Sequence, residues 1–454
     1  MKKILIYVIV IAALLISNVS ATLAAPLNKQ IGINVLLNTG INNRILAKLG
    51  TYGKINEMVY EINAVTMKIA ENDLSAIRAL PFVAAANPDA ARNGAPIDTV
   101  SASDFADGWN TWDQDAINVT DFGVGRTIGY DGTGVYVAVL DTGLLDSWRQ
   151  YFPQERIATQ YAKAFRGGGG ENGNVSEPPN MWEHDQNSHG THVTSTILGY
   201  QYGTAKINGV APLATVIPVK VLGQSGSGWS SVVARGITYI ADLKAGPLAD
   251  YPVVINMSLG GSILDAMEKA AIDYAIEQGV IVVASAGNEG TYGMGYPGAY
   301  APVISVAASG WVGEWTAASW WRTLDVLEPT NPADFYITDF SSRELPGQDL
   351  DVAAPGSWIV GPYQTNSGQI SYYYLGGTSM ASPHVAGIVA LMAQKDATLT
   401  ASDAEGILEG SAISLAPGCR TVNDGYGNLV EYCWEADATG AGLATADAAL
   451  AATP

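Results

Sequence analysis

Residues 135–141 read VYVAVLD, and the fold class turns on that stretch. Six apolar residues, three of them valine, run without a polar interruption into a carboxylate. A strand with one wet face alternates apolar and polar residues; an unbroken run belongs to a strand buried on both faces. TVIPVKVL (215–222), PVVINMSL (252–259), VIVVASAG (280–287) and PVISVAAS (302–309) share this character. VVARGITYIADLKA (232–245) and AMEKAAIDYAIEQG (266–279) lie between them, with apolar residues at helical spacing. Buried strands joined by helical crossovers predict an α/β fold, a mostly parallel sheet with helices on both faces. Sites in such sheets lie beyond the carboxyl ends of the strands. Asp141 and Asn288 fall there.

Toward the N-terminus, Lys2 and Lys3 precede an apolar run of thirteen residues, Ile4 to Ile16, too short for an ordinary membrane span. Ser20, Ala21, Ala24 and Ala25 suit leader cleavage, so residues 1–25 are read as a secretory signal and the protein as exported. No later apolar run reaches membrane length. Residues 26–92 follow the order β-α-β-β-α-β, predicting a small α+β, ferredoxin-like unit. Residues 93–119, small and polar at first, are the connector, and 120–454 the large domain. The small unit holds seven Lys and Arg against five Asp and Glu, net +2; residues 93–454 hold fourteen against 38, net −24. The whole chain carries −20, or −22 without Lys2 and Lys3, which argues against nucleic acid or anionic lipid as a partner. Residues 311–340 interrupt the strand–helix rhythm with Trp311, Trp315, Trp320 and Trp321. That insertion is either a packed excursion or a wall for binding. Cys419 and Cys433 are the only cysteines, with thirteen residues between them; an oxidising compartment would pair them.

GGTSMASPHVAG (376–387) reads as a loop turning into a helix. Ser379 then lies near free backbone N–H groups and the positive end of the helix dipole, where negative charge is stabilised. The same pattern also fits a capped, buried helix without chemistry. Pro383 is tolerable only near a first turn. Of four histidines, His384 shares the helix of Ser379 and should point away, and His184 lies in the polar loop WEHDQNSHG. His189 and His192 enter a helix in HGTHVTSTILG; His189 suits an open site and His192 a packed one. A metal reading of that pair lacks a third ligand. Asp141 is a natural acceptor for an imidazole N–H, and Asn288 offers a side-chain amide.

VLDTG (139–143), HGTHV (189–193) and GTSMASPHVAG (377–387), in that order, resemble the subtilisin-like serine proteases. GVAP (209–212), VKVLGQSGSG (219–228), INMSLGGS (255–262), ASAGNEG (284–290) and DVAAPGS (351–357) agree, and the likeness covers roughly 120–450. The resemblance implies a peptide-bond hydrolase with Ser379 as nucleophile, His189 as general base and Asp141 as the group that orients it. It implies an oxyanion hole from Asn288 and the Ser379 N–H. Extended protein or peptide substrates would lie between Ser227-Gly228-Trp229 and Ser258-Leu259-Gly260. Ala284, Ser285, Ala286, Gly287 and Gly295 would line the pocket for the residue before the cut, with Glu289 at its rim. The small N-terminal unit would be an inhibitor-like propeptide, cut away between about residues 85 and 95; a purely structural unit is the alternative.

Catalysis would need no cofactor. The family's strong calcium site uses an aspartate where this chain has Gln150, and the loop GYQYGTAKING (199–209) lacks its ligands, so calcium is expected only elsewhere, if at all. Ser188 replaces the usual glycine before the histidine, and Thr194-Ser195 the usual small pair. The expectation is a monomeric, secreted serine endopeptidase. A maturation protease dedicated to one partner, and a catalytically silent binding protein of the same fold, are the alternatives.

Overall fold

The computed structural model describes residues 29–94, 98–101, 110–168 and 173–454; the expected leader, 1–25, lies outside the described residues. Strand β1 (Gln30–Leu37) is followed by helix α1 (Asn43–Leu49), strands β2 (Gly53–Val59) and β3 (Ala64–Ala70), helix α2 (Leu74–Arg78) and strand β4 (Val83–Pro88). The sheet order is β2-β3-β1-β4, all pairs antiparallel, as a ferredoxin-like unit requires. Ile33, Val35, Val65 and Met67 bury one sheet face against Ile45 and Leu49 of α1 and Ile77 of α2. Asn42 caps α1, its Oδ1 accepting from the N–H groups of Arg44 and Ile45 at 3.1 Å each. A short strand, β5 (Ala91–Asn93), leaves this unit for the large domain.

The period-two alternation within the buried strands builds three layers. Strands β6 (Tyr136–Asp141), β7 (Thr215–Lys220), β9 (Val253–Met257), β10 (Val280–Ser285), β11 (Ile304–Trp311) and β13 (Val352–Pro355) pair parallel, with short edge strand β8 (Ser227–Trp229) lying apart. Strand β12 (Phe335–Ile337) joins β11 antiparallel, so the sheet is mostly parallel, as expected. Val137 and Val139 of β6 share a core with Val193 and Ile197 of helix α3 (His189–Leu198) and Ile388 of helix α6 (Thr378–Lys395). Ala138 and Leu140 turn the other way, toward Ile237 of helix α4 (Ser230–Ala245) and Ile272 of helix α5 (Ala266–Glu277).

The small unit covers the N-termini of α4 and α5. Asp265, the N-cap of α5, accepts from Met267 N–H at 2.8 Å. Its Oδ2 accepts from Asn34 Nδ2 at 2.9 Å, Asn87 Nδ2 at 2.7 Å and Ser230 Oγ at 2.6 Å. Asp89 caps α4 from across the interface, accepting from Ser231 N–H at 3.0 Å. Cys419 and Cys433 are disulfide-bonded and directly opposed across the hairpin of β14 (Gly418–Asn423) and β15 (Leu429–Trp434).

The tryptophan insertion is a packed excursion. Trp320 and Trp321 are buried, and Trp112 lies 6.2 Å from Trp311 and 6.0 Å from Trp320, ring centre to ring centre. Beneath them Glu314 is wholly buried. Burial pushes its carboxyl up to about 8, although Trp311 N–H, Tyr336 Oη and Ser357 Oγ, each 2.9 Å away, pull it down. A raised folded pKa means stability is greatest below the ordinary carboxylate value and is lost as pH rises toward 8. Between pH 5 and 8 this group should cost roughly 2–4 kcal/mol. Unfolding Ser379→Ala protein in urea at both pH values, with and without Glu314→Gln, tests this. The glutamine should remove that much of the pH dependence; identical pH profiles would refute it.

Candidate active site

Three element ends converge. Strand β6 ends at Asp141, α3 begins at His189 and α6 begins at Thr378. His189 Nδ1 lies 2.9 Å from both carboxylate oxygens of Asp141, and both residues are buried. A carboxylate only accepts, so Nδ1 carries the proton and Nε2 presents its lone pair. That Nε2 is buried and has no hydrogen-bond partner among the described residues. A buried acceptor with nothing to accept from is unusual outside a site of chemistry.

Ser379 is the second residue of α6, so its N–H has no carbonyl one turn back to bond to. Its Oγ donates to the Ser258 carbonyl at 3.4 Å, a long and weak hydrogen bond. Pro383 lies in the second turn of α6 rather than the first, which the sequence pattern alone disfavours. The helix tolerates it because Pro383 withholds an N–H from the Ser379 carbonyl, and Ser258 Oγ donates there instead, at 2.8 Å. Asn288 Oδ1 accepts from both the N–H and the Oγ1 of Thr378, at 2.9 Å each. Its Nδ2 is thereby left on the Gly377 side, 3.7 Å from where a Cβ on Gly377 would fall.

The chain's own residues occupy the approach to these side chains. β5 pairs antiparallel with β8, Arg92 opposite Gly228. On its other edge Asn93 exchanges two 2.9 Å hydrogen bonds with Gly260. Gly94 N–H donates to the Gly226 carbonyl at 2.9 Å. A Cβ on Gly94 would stand 2.7 Å from the Ser258 carbonyl oxygen and 3.4 Å from His189 Cε1. Beyond residues 95–97, which lie outside the described residues, Asp98–Ser101 pairs antiparallel with Tyr373–Gly376, just before Ser379.

A family model described as the subtilase family matches residues 132–431. The chain belongs to the subtilase family. Thermitase of Thermoactinomyces vulgaris is 34% identical over 286 residues, 63% of this chain and 84% of thermitase. Alkaline elastase YaB of a Bacillus species is 32% identical over 333 residues, 73% of this chain and 69% of that one. The crystal structure of fervidolysin from Fervidobacterium pennivorans, a keratinolytic enzyme related to subtilisin, superposes with a TM-score of 0.66 at 25% identity, covering 93% of this chain and 61% of fervidolysin. This subtilase is therefore a serine endopeptidase acting on peptide substrates.

Other residues of the subtilase cluster where its sequence places them. Gly260 faces Gly295, whose Cα lies 3.8 Å from a Cβ built on Gly260. Gly295 N–H donates to the Ala286 carbonyl at 2.8 Å and Ser285 Oγ to the Leu259 carbonyl at 3.5 Å, so Ala284–Gly287 and Ser258–Gly260 form adjoining walls. Glu289 accepts from Ser342 Oγ at 3.0 Å, at the edge of that wall. His192 is buried, its Nε2 donating to the Ile359 carbonyl at 3.1 Å, and burial with His189 nearby pulls its pKa to about 3. His384 lies between the Met380 carbonyl at 2.8 Å and Asp113 at 3.0 Å. Burial pushes the Asp113 carboxyl up, but His384 outweighs it and holds the acid below its usual range. His184 is exposed beside Asp146.

A supporting network escaped the sequence reading. Thr142 Oγ1 accepts from Gly190 N–H at 2.9 Å and donates to Asp185 at 2.8 Å; Asp185 in turn accepts from Ser188 N–H at 2.8 Å. These bonds tie the start of α3 to the end of β6. Gly190 lets the two meet, since a Cβ there would fall 2.4 Å from the Gly143 carbonyl oxygen. Ser188 has φ 75°, a left-handed conformation that glycine adopts freely. Its Oγ holds it there by donating to the Gln364 carbonyl at 3.2 Å and accepting from Gln364 N–H at 3.1 Å. The recess beside Gln150 is lined by Arg149 and Lys206 and by no carboxylate. That donor set does not fit calcium.

Proposed function

We propose that the enzyme hydrolyses peptide bonds through an Asp141–His189–Ser379 triad and an acyl-enzyme. The observation that carries this reading is the docked strand. Residues 91–94 make the backbone bonds of an extended substrate on both edges and bring Gly94 to His189. On attack, Ser379 Oγ bonds to the scissile carbonyl carbon while His189 Nε2 takes the hydroxyl proton. Asp141 stabilises the resulting imidazolium. The oxyanion accepts from Asn288 Nδ2 and the Ser379 N–H. His189 then protonates the departing amine, the ester forms, and water repeats the sequence to release the acid. Asn288→Ala should lower kcat by about 10²–10³ with little change in KM; a loss under threefold in steady-state assays would remove Asn288 from that role.

The N-terminal unit and its trailing strand act as an intramolecular inhibitor; the pinned segments 91–94 and 98–101 favour a processing cut within residues 94–98, at or just past the end of the 85–95 range expected from sequence. Residues 1–25 direct export, and the mature form is a monomer without a nucleic-acid or membrane partner. The acidic balance argues against nucleic acid and the apolar leader supports export; no helix among the described residues is long and apolar enough to cross a membrane. A fluorophosphonate probe tests the reading: processed wild type should label and Ser379→Ala should not. Absent or equal labelling would refute it.

A further inference from the structure

Arg92 and Glu268 form a buried ion pair inside the docked-strand site. Both are essentially inaccessible to solvent. The Arg92 Nε donates to Glu268 Oε1 at 2.9 Å and Oε2 at 3.0 Å, and Nη2 closes a second, short contact to Oε2. Nη2 also donates to the Ile263 carbonyl at 3.3 Å, and Nη1 to the carbonyl of Ala91 at 2.9 Å. Gly261 makes the room: a Cβ there would lie 3.0 Å from Nη1. Glu268 belongs to α5 of the protease domain, whereas Arg92 belongs to the strand that processing removes. Burial pushes the Glu268 carboxyl up, with Arg92 opposing. Asp265 and Asp89 add negative charge around the pair, and Asp265 remains after Arg92 and Asp89 depart.

The register makes this more than a latch. Arg92 sits opposite Gly228 and immediately precedes Asn93, which pairs with Gly260. Any peptide laid in the same ladder sends the side chain two residues before the one facing His189 into the Glu268 pocket. Resting on the peptidase reading above, we propose that Glu268 makes the processed enzyme select peptides carrying arginine at that position. The planar fork is what the pocket reads, because Nε and Nη2 find acceptors on Glu268 and the Ile263 carbonyl while Nη1 bonds back to the strand's own Ala91 carbonyl. An ammonium cannot meet all of them. Removing one partner from a buried, hydrogen-bonded pair leaves the other uncompensated.

The test uses enzyme processed from the full chain and four peptides Ala-X-Asn-Gly-Ala-fluorophore, with X arginine, citrulline, lysine or alanine. Arginine should exceed alanine in kcat/KM by about 100-fold, and citrulline and lysine should each fall at least about tenfold below arginine. Glu268→Gln should bring the arginine-to-alanine ratio below about five. Arginine and alanine cleaved within threefold of each other, citrulline matching arginine, or a ratio kept by Glu268→Gln would each overturn the proposal. Should Glu268→Gln fail to fold, the arginine–citrulline comparison in the wild type decides, since the two differ in charge and hardly in shape. Failure of the peptidase reading looks different: no peptide is cut and the fluorophosphonate does not label.

Discussion

A His189→Ala enzyme, processed in trans, is expected to lose about 10⁶ in kcat, as Ser379→Ala should, and the double variant should lose little more. That scale is carried over from subtilisin, where nucleophile and base fail as a unit. The geometry here explains why the two losses should coincide. His189 Nε2 has no partner in the described structure, and Ser379 Oγ has only a weak bond to the Ser258 carbonyl at 3.4 Å. Neither group is held by anything that would substitute for the other. Without the imidazole, the hydroxyl has no acceptor strong enough to take its proton near neutral pH. The residual rate should come from Asn288, the Ser379 N–H and the two substrate-binding edges. Burst-phase and steady-state assays on a peptide ester and a peptide amide measure the loss. A single variant retaining a tenth of wild-type kcat would remove that residue from the mechanism.

Asp141→Asn should cost about 10⁴ in kcat without disturbing the fold. The reason lies in the bond from Thr142 N–H to Asp141 Oδ1, at 2.6 Å. An asparagine that keeps its amide oxygen on that N–H puts its NH₂ in the place of Oδ2, 2.9 Å from His189 Nδ1. Nδ1 then becomes the acceptor, the ring proton moves to Nε2, and the atom that should take the serine proton already holds one. Nitrogen NMR of His189 should show the exchange of tautomers directly. A loss below tenfold, or an unchanged tautomer, would mean that Asp141 does not set the imidazole.

Much of this site was legible because each residue stands where a regular element begins or ends. Asp141 closes an apolar strand, His189 opens a helix after a polar loop, and Ser379 follows two glycines into another helix. The unbroken apolar run of Val137 to Leu140 likewise carried the three-layer fold, since side chains in a strand point to opposite faces and a run apolar on both must be covered on both. Pro383 misled because its cost is a lost hydrogen bond, and the donor that replaces it, Ser258, is far away in sequence. Thr142 and Asp185 were silent for a similar reason: their hydroxyl and carboxylate look like ordinary loop polarity until the start of α3 is brought against them.

Glu268 marks the limit most clearly. In AMEKAAIDYAIEQG it reads as one charge among several on an amphipathic helix. Arg92, 176 residues away, reads as the last residue of the small N-terminal unit. Local periodicity determines which face of a helix is apolar and where strands run, because those follow from backbone geometry within a few residues. It does not determine which charge is taken out of water. That depends on what lies across the helix, and here it is the chain's own strand, laid in the cleft between β8 and Ser258–Gly260. The sequence by itself therefore determined the layers, the small N-terminal unit and the candidate residues at the ends of β6, α3 and α6. Only the tertiary structure decided that Glu268 is buried and paired, since desolvation of a charge is a property of the assembled cleft.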